Sequence, residues 1–331
     1  MNKLRIGMIS FAHMGHANSY AAGLQTNESA EITGVYDDDP QRGQKAAERF
    51  NTTFYPDYKQ LLEQVDGVVI SSENRKHYPL AIEAAEANKH ILVEKPITTD
   101  GAEARELIDL CAEKNLVLQT AFPVRMNESV KRVKRQIDSG DIGDIVAIAA
   151  TNHGKMPGGW FVNYALSGGG AVLDHTVHVV DLMRWFLRSE VKEVYAEADT
   201  LLHEIPVDDC GLLSMVFDNG VIATLDTSWS RPESFSTWGN VTMRIIGTKG
   251  AIHLDAFAQA GSLWENGSAA SHKYVNWGDK SNTALVEEFV ASIRECRQSS
   301  ITGMDGLRAA EVAWSAYESV KQGRTVQVKH Y

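Results

Sequence analysis

The alternation of apolar and polar positions changes character once along the chain, near Phe122–Pro123. Before that point short apolar runs alternate with segments of helical period. Leu4–Ile9, Glu31–Tyr36, Gly67–Ile70, Ile91–Val93 and Leu116–Thr120 have strand character. Ala17–Leu24, Gln41–Phe50, Pro79–Ala87 and Ala102–Lys114 place their apolar residues on one helical face. Strands alternating with helices of about 10–15 residues predict βαβ units, and right-handed crossovers join such units into a doubly wound parallel sheet. After one more helix, Ser129–Ser139, strands follow one another: Asp144–Thr151, Val191–Ala198, Gly211–Phe217, Val221–Ser228, Val241–Gly247 and Ala251–Asp255. Asp218-Asn219-Gly220 between two of them is a hairpin signal. The second half is therefore expected to be an α+β unit with a mostly antiparallel, open-faced sheet. Helices at Val172–Leu187, Ala284–Arg297 and Gly306–Lys321 would cover its other face, the last two packing back across the boundary. Gly261–Ser271 carries the least pattern and reads as a loop.

Composition narrows this picture without redirecting it. The chain has 331 residues, 44% of them hydrophobic and 23% charged, ordinary values for a globular protein long enough for two domains. The expected division is residues 1–122 and 123–331. A formal net charge of −11, with Lys131–Arg135 as the longest basic stretch, excludes a nucleic-acid footprint. Cys111, Cys210 and Cys296 are too widely spaced for a CxxC metal pair or a disulfide framework, and free thiols suit a reducing compartment. No apolar run approaches the length of a membrane span, and nothing at the start resembles a leader peptide. A soluble, cytoplasmic protein is expected.

Candidate chemistry begins after the first strand. A dinucleotide needs a tight strand-to-helix turn with backbone amides aimed at its pyrophosphate. Here that turn is Ser10-Phe11-Ala12-His13-Met14-Gly15, with Ser10 and Ala12 where glycines are usual. Both are small, so close backbone approach is retained. Asp37 ends the second strand, roughly 20–25 residues past the loop, where an acidic residue accepts hydrogen bonds from ribose hydroxyls and repels a 2′-phosphate. Asp38 and Asp39 add to that repulsion and no arginine follows immediately, which favours NAD. Farther on, Val93-Glu94-Lys95-Pro96 places Lys95 at the carboxyl edge of the sheet, where open α/β sheets bind ligands. The Lys-Pro bond is a candidate for cis. Ser71, Asn74 and His77 follow the third strand. Gly168-Gly169-Gly170 leads into a helix carrying Asp174, His175 and His178, with Asp174 and His178 on one face.

Together these segments resemble the Gfo/Idh/MocA family of sugar and cyclitol oxidoreductases over nearly the whole chain. The resemblance rests on Glu94-Lys95-Pro96, on Gly168–His178, on Arg125 after the fifth strand and on the late Gly306-Leu307-Arg308-Ala309 helix start. It implies a Rossmann domain binding NAD through Ser10, Ala12, His13, Met14, Asp37, Ser71, Asn74, His77, Glu94 and Lys95. It also implies a catalytic set. Lys95 would hydrogen-bond the reacting hydroxyl and the nicotinamide ribose, His178 would take the hydroxyl proton, and Asp174 would position substrate or orient the histidine. Histidine titrates near neutrality, as that exchange requires, and a lysine cation stabilises a developing alkoxide. Arg125, His153, Trp160 and His175 join the expected substrate contacts, with Arg125 equally able to brace the boundary. Thr176 and Glu73 depart from the family pattern.

The activity expected is oxidation of a secondary hydroxyl of a sugar, sugar derivative or cyclitol, or the reverse reduction, in a homodimer or homotetramer assembled through the open sheet face. Leu212, Val216, Ile222 and Leu225 are the apolar positions expected on that face. Two alternatives stay open: an NAD-dependent glycoside hydrolase that oxidises the ring transiently and eliminates the aglycone, and a non-catalytic cofactor-binding regulator. His175 and His178 with Asp174 and His153 invite a metal reading, but the spacing fixes no third ligand, so no metal is expected. His13 and His16 are expected to line the cofactor loop.

Overall fold

The computed structural model describes residues 2–235, 237–258, 260–265, 271–276 and 280–331. The first sheet has six parallel strands: β1 (Leu4–Ile9), β2 (Ala30–Tyr36), β3 (Thr53–Phe54), β4 (Gly67–Ile70), β5 (His90–Val93) and β6 (Leu118–Thr120). Their order is β3-β2-β1-β4-β5-β6. The order reverses at β1/β4, which opens a crevice at the carboxyl ends of the strands. The crossover helices are α1 (Met14–Thr26), α2 (Pro40–Phe50), α3 (Tyr58–Leu62), α4 (His77–Glu86) and α5 (Gly101–Glu113). Side-chain caps set three of their starts: Asp39 accepts from the Gln41 and Arg42 amides before α2, Asp57 from that of Lys59 before α3, and Asp100 from those of Ala102 and Glu103 before α5. Every residue of β4 is buried, as a central parallel strand covered on both faces requires.

The second sheet is built from β7 (Ile145–Lys155), β8 (Val191–Asp199), β9 (Cys210–Phe217), β10 (Ile222–Arg231), β11 (Gly239–Gly247) and β12 (Ala251–Asp255). A short late strand also joins its edge. The order is β12-β11-β7-β10-β9-β8 and then Val326–Gln327. All its pairs are antiparallel except β10 on β7, which is parallel. The Asp218–Gly220 turn closes the β9–β10 hairpin, with Gly220 at φ +85°. One face packs on a helix; the other is open.

Two sequence expectations need correction. Leu225 does not belong to the open face: β10 alternates, and Leu225 is fully buried on the helix side with Ala223, while Ile222 and Leu212 stand exposed on the other face. The segment taken as the loop Gly261–Ser271 contains most of β13 (Ala260–Glu265) and the start of β14 (Ser271–Asn276), which pair as a two-stranded ribbon. The ribbon joins neither large sheet, so it need not alternate as a sheet strand does. The short β3, α3 and the edge strand β15 (Val326–Gln327) have too few residues to show a period.

The remaining helices are α6 (Glu128–Asp138), α7 (Tyr164–Ser167), α8 (Ala171–Leu187), α9 (Ser281–Arg294) and α10 (Gly303–Gln322). The last two return to the first sheet. Gly23 of α1 lies against the Thr283 backbone of α9, and Leu307 of α10 completes the apolar cluster around β5, α4 and α5. The two halves thus share a continuous buried framework.

Candidate active site

The Gly168–Gly170 turn decides where α8 begins. Gly168 ends α7 at φ +76°, a conformation that suits glycine. A side chain on Gly170 would collide with the Asp208 carbonyl at 2.0 Å. The Asp208 carboxylate accepts hydrogen bonds from the Gly170 and Val172 amides at 3.1 and 2.7 Å, and so caps the helix from outside. Asp174 then falls in the first turn of α8. This helix is buried on nearly every side, because it lies between the second sheet and α10.

Lys95 comes from the other unit. It follows β5 at a cis Lys95-Pro96 bond and is 4% exposed. Its ammonium forms a close ion pair with Asp174 Oδ1 and lies 3.3 Å from the Asp174 carbonyl. Asp174 Oδ2 accepts from Trp229 Nε1 at 3.2 Å and faces His175 Nε2 at 3.2 Å. The Asn152 carbonyl can only accept, so His175 donates from Nδ1 to it, at 2.8 Å. Burial alone would raise the Asp174 pKa; the Lys95 charge, with His175 close by, outweighs it and holds the carboxyl well below its ordinary range. His178 sits one turn farther along the same face. Its Nδ1 is buried without a hydrogen-bond partner among the described residues, and its ring meets Phe122 edge-on at 6.0 Å. Burial and then the Lys95 charge push its pKa well below 6.5, so the ring is neutral.

Glu94, beside Lys95, is buried and anchored to α1. It accepts from His16 Nδ1 at 2.7 Å, from Tyr20 Oη at 2.6 Å and from the Lys95 amide at 3.1 Å. Burial opposes its ionisation, but the charge and hydrogen bond of His16 keep it ionised. His16 and Tyr20 stand one turn apart on α1, so a single helix face makes both contacts. His13 stacks on His16 at 4.1 Å and is pushed down to about 3, chiefly by burial.

The nucleotide loop has the features a dinucleotide needs. Ser10 turns the chain at φ +64°, its hydroxyl accepting from the Ala12 amide at 3.1 Å. The first turn of α1 has no side-chain cap, which leaves its amides to an anion. Met14 stands exposed at that turn. The His13 amide donates to the Ser71 carbonyl at 3.0 Å, tying the loop to the end of β4. Asp37 is buried at the end of β2 and accepts from the Phe11 and Asp39 amides at 2.8 and 3.0 Å.

Six sequence expectations are placed differently. Although no arginine directly follows Asp37, Arg42 of α2 reaches back and holds both its carboxylate oxygens, at 2.6 and 2.8 Å. Arg125 does not face the site: Asp181, Asp305 and the Ser300 carbonyl occupy its guanidinium, so it braces the boundary. His153 points to the open sheet face, 3.0 Å from Asp226, since its neighbour Asn152 is the residue facing α8. His77 lies fully buried between the Pro96 and Ser72 carbonyls at 2.7 and 3.2 Å, holding the Lys-Pro turn. Trp160 covers the nucleotide loop, donating from Nε1 to the Ala12 carbonyl at 3.1 Å and stacking on Phe161. Asn74 binds the Ser167 carbonyl at 2.8 Å and links the end of β4 to α7. Tyr20, Arg42 and Trp229 escaped the sequence reading. The spacing of Tyr20 from His16 is the one signal that pointed to any of them.

Two family profiles match the chain. The profile for an oxidoreductase family with an NAD-binding Rossmann fold covers residues 4–122, and that for a GFO/IDH/MocA C-terminal domain covers 130–253. The protein belongs to the GFO/IDH/MocA family. This GFO/IDH/MocA protein is thus an oxidoreductase with an NAD-binding Rossmann domain. It is similar to the myo-inositol 2-dehydrogenase of Thermotoga maritima, with 24% identity over 98% of this chain and 99% of that one. It is also similar to the levoglucosan dehydrogenase of Pseudarthrobacter phenanthrenivorans, with 29% identity over 76% and 73% of the two chains. The crystal structure of GenD2 from gentamicin A biosynthesis, in complex with NAD, shares the fold with a TM-score of 0.90 and 23% identity, covering 99% of this chain and 97% of that one. No helix among the described residues is long and apolar enough to cross a membrane.

Proposed function

We propose that the protein is an NAD-dependent dehydrogenase or reductase acting on a secondary hydroxyl of a sugar, a sugar derivative or a cyclitol. One observation carries the reading: the buried Lys95–Asp174 pair lies beside a neutral, half-buried His178 at the carboxyl edge of the Rossmann sheet. The uncapped first turn of α1 and the Ser10–Met14 loop would hold a pyrophosphate, and Asp37, once Arg42 yields one of its oxygens, the adenosine ribose. Bound there, NAD supplies the hydride acceptor for alcohol oxidation. In that direction His178 takes the hydroxyl proton, which its neutral state permits. The Lys95 ammonium stabilises negative charge developing on the same oxygen. Asp174 positions the ammonium and supports the imidazolium that forms on His178.

The reading extends to organisation. The proposed division is a dinucleotide-binding domain over 1–122 and a substrate and assembly domain over 123–331. A second copy of the chain would cover the open sheet face, where Tyr195, Leu212, Ile222 and Ile246 are exposed. The relatives named for inositol and levoglucosan support the substrate class.

The test is a panel of sugars, glycosides and cyclitols incubated with NAD, with NADH and released aglycone measured together. NADH formed in proportion to a keto product is the expected result. Aglycone release with no net NADH would replace the reading with redox-neutral glycoside cleavage, and no turnover on any member would favour a non-catalytic regulator.

A further inference from the structure

We propose that His13, His16 and Glu94 form a site for a zinc-class divalent cation next to the Lys95–Asp174 pair. The sequence invited a metal reading at His175 and His178, but the fold assembles a different set. His13 precedes the first residue of α1, His16 lies within its first turn, and Glu94 follows β5. One potential ligand atom from each lies within 4.8 Å of the other two. The two rings stack with centroids 4.1 Å and planes 13° apart, and His16 Nδ1 is already 2.7 Å from Glu94 Oε1. Ligand atoms around a tetrahedral ion with bonds of about 2.0–2.1 Å are roughly 3.3 Å apart, so seating the ion opens that contact by a few tenths of an ångström.

Charge supplies the second argument. A buried carboxylate requires a cation or a full set of donors. Among the described residues the hydrogen bonds to Glu94 come from His16, Tyr20 and a backbone amide, and the neighbouring Lys95 ammonium is committed to Asp174. A metal ion held between His16 and Glu94 answers that need. Tyr20 and the Lys95 amide would orient Glu94 as a ligand. Two imidazoles and one carboxylate favour zinc or cobalt over magnesium or calcium, and leave a position for a non-protein oxygen. The positive end of α1 opposes a cation, but only as a partial charge against the full charge of Glu94. Phe161 meets His13 edge-on at 5.3 Å and Trp160 stacks behind it, which limits access of water from that side.

The test reads binding, not turnover. Chelator-treated full-length protein is titrated with zinc, quantified by elemental analysis after dialysis, and with cobalt, followed by visible absorption. The expected result is one zinc per chain and a visible cobalt spectrum, both lost in His13→Ala and His16→Gln and both kept in His203→Ala. Glutamine at 16 retains a donor for Glu94, and circular dichroism checks the fold of each variant. In the unaltered protein, NMR follows the histidine ring signals, and zinc is expected to move those of His13 and His16 but not that of His203. Substoichiometric zinc, undiminished binding in the two variants, or unmoved His13 and His16 signals would each overturn the proposal.

Discussion

Lys95 and Asp174 are 79 positions apart, one just past β5 and the other in the first turn of α8, and meet as an ion pair almost closed to solvent. Removing one partner of such a pair leaves the other buried and uncompensated, at a cost of about 3–5 kcal/mol. Lys95→Met is therefore expected to lower the unfolding free energy by roughly that amount and kcat by about 10²–10³-fold. Lys95→Met/Asp174→Asn should recover much of the stability and none of the activity. Denaturant unfolding and steady-state rates on the three variants separate the two roles; recovery of activity in the double variant would count against Lys95 as a catalytic residue.

His178 makes a linked prediction in pH. Its pKa is lowered by burial first and by the Lys95 charge second, and Asp174 acts in the opposite sense. Proton acceptance needs the neutral ring, so the acid limb of the oxidation rate should lie below 6.5, the ordinary histidine value. Lys95→Met removes a lowering influence and should raise the His178 pKa, while Asp174→Asn removes a raising one and should lower it. An NMR titration of the His178 ring in each variant reads both signs, and movement in the reverse sense would contradict the electrostatic assignment.

Arg125 is expected to matter for stability and little for substrate. Asp181 beneath it is fully buried, and burial pushes that carboxyl up to about 6 in spite of the arginine. Arg125→Met leaves Asp181 without its main cation, so the loss should be about 3–5 kcal/mol, with KM for substrate changed less than threefold, a factor of about 0.7 kcal/mol. A large KM effect in a stably folded variant would return Arg125 to the substrate site.

Arg42 bears on the choice between cofactors. It occupies both carboxylate oxygens of Asp37 and reaches Asp38 at 3.0 Å, which puts a cation where a 2′-phosphate on the ribose would need one. Arg42→Ala should free Asp37 for ribose hydroxyls and withdraw that cation. The ratio of kcat/KM with NADP to that with NAD is expected to fall by about tenfold, the worth of one charge-assisted hydrogen bond. A rise in the ratio would contradict this role.

Much of this architecture was legible in the sequence because period and burial agree. β1, β4 and β12 appear where their apolar runs begin and end, and the Asp218–Gly220 turn fixes its hairpin. Lys95, Asp174 and His178 were legible as a resemblance, and the fold brings Lys95 and Asp174 into contact. Other features were hidden for physical reasons. Arg42 lies five positions past Asp37 and returns only because α2 turns back. His153 reads like His175 in the sequence, yet one step along a strand reverses the face. Trp229 reaches Asp174 from a strand end on the second sheet, a contact that no local pattern encodes.

The central claim, net oxidation of a ring hydroxyl assisted by Lys95, is tested most directly by following one deuterium atom. A sugar or cyclitol that turns over, labelled on the carbinol carbon, is incubated with NAD, and both products are analysed by mass spectrometry. The account predicts one deuterium on the NADH for each keto product formed, with the transfer lost in Lys95→Met. Recovery of the label in the carbohydrate product, with no net change in NAD, would contradict it.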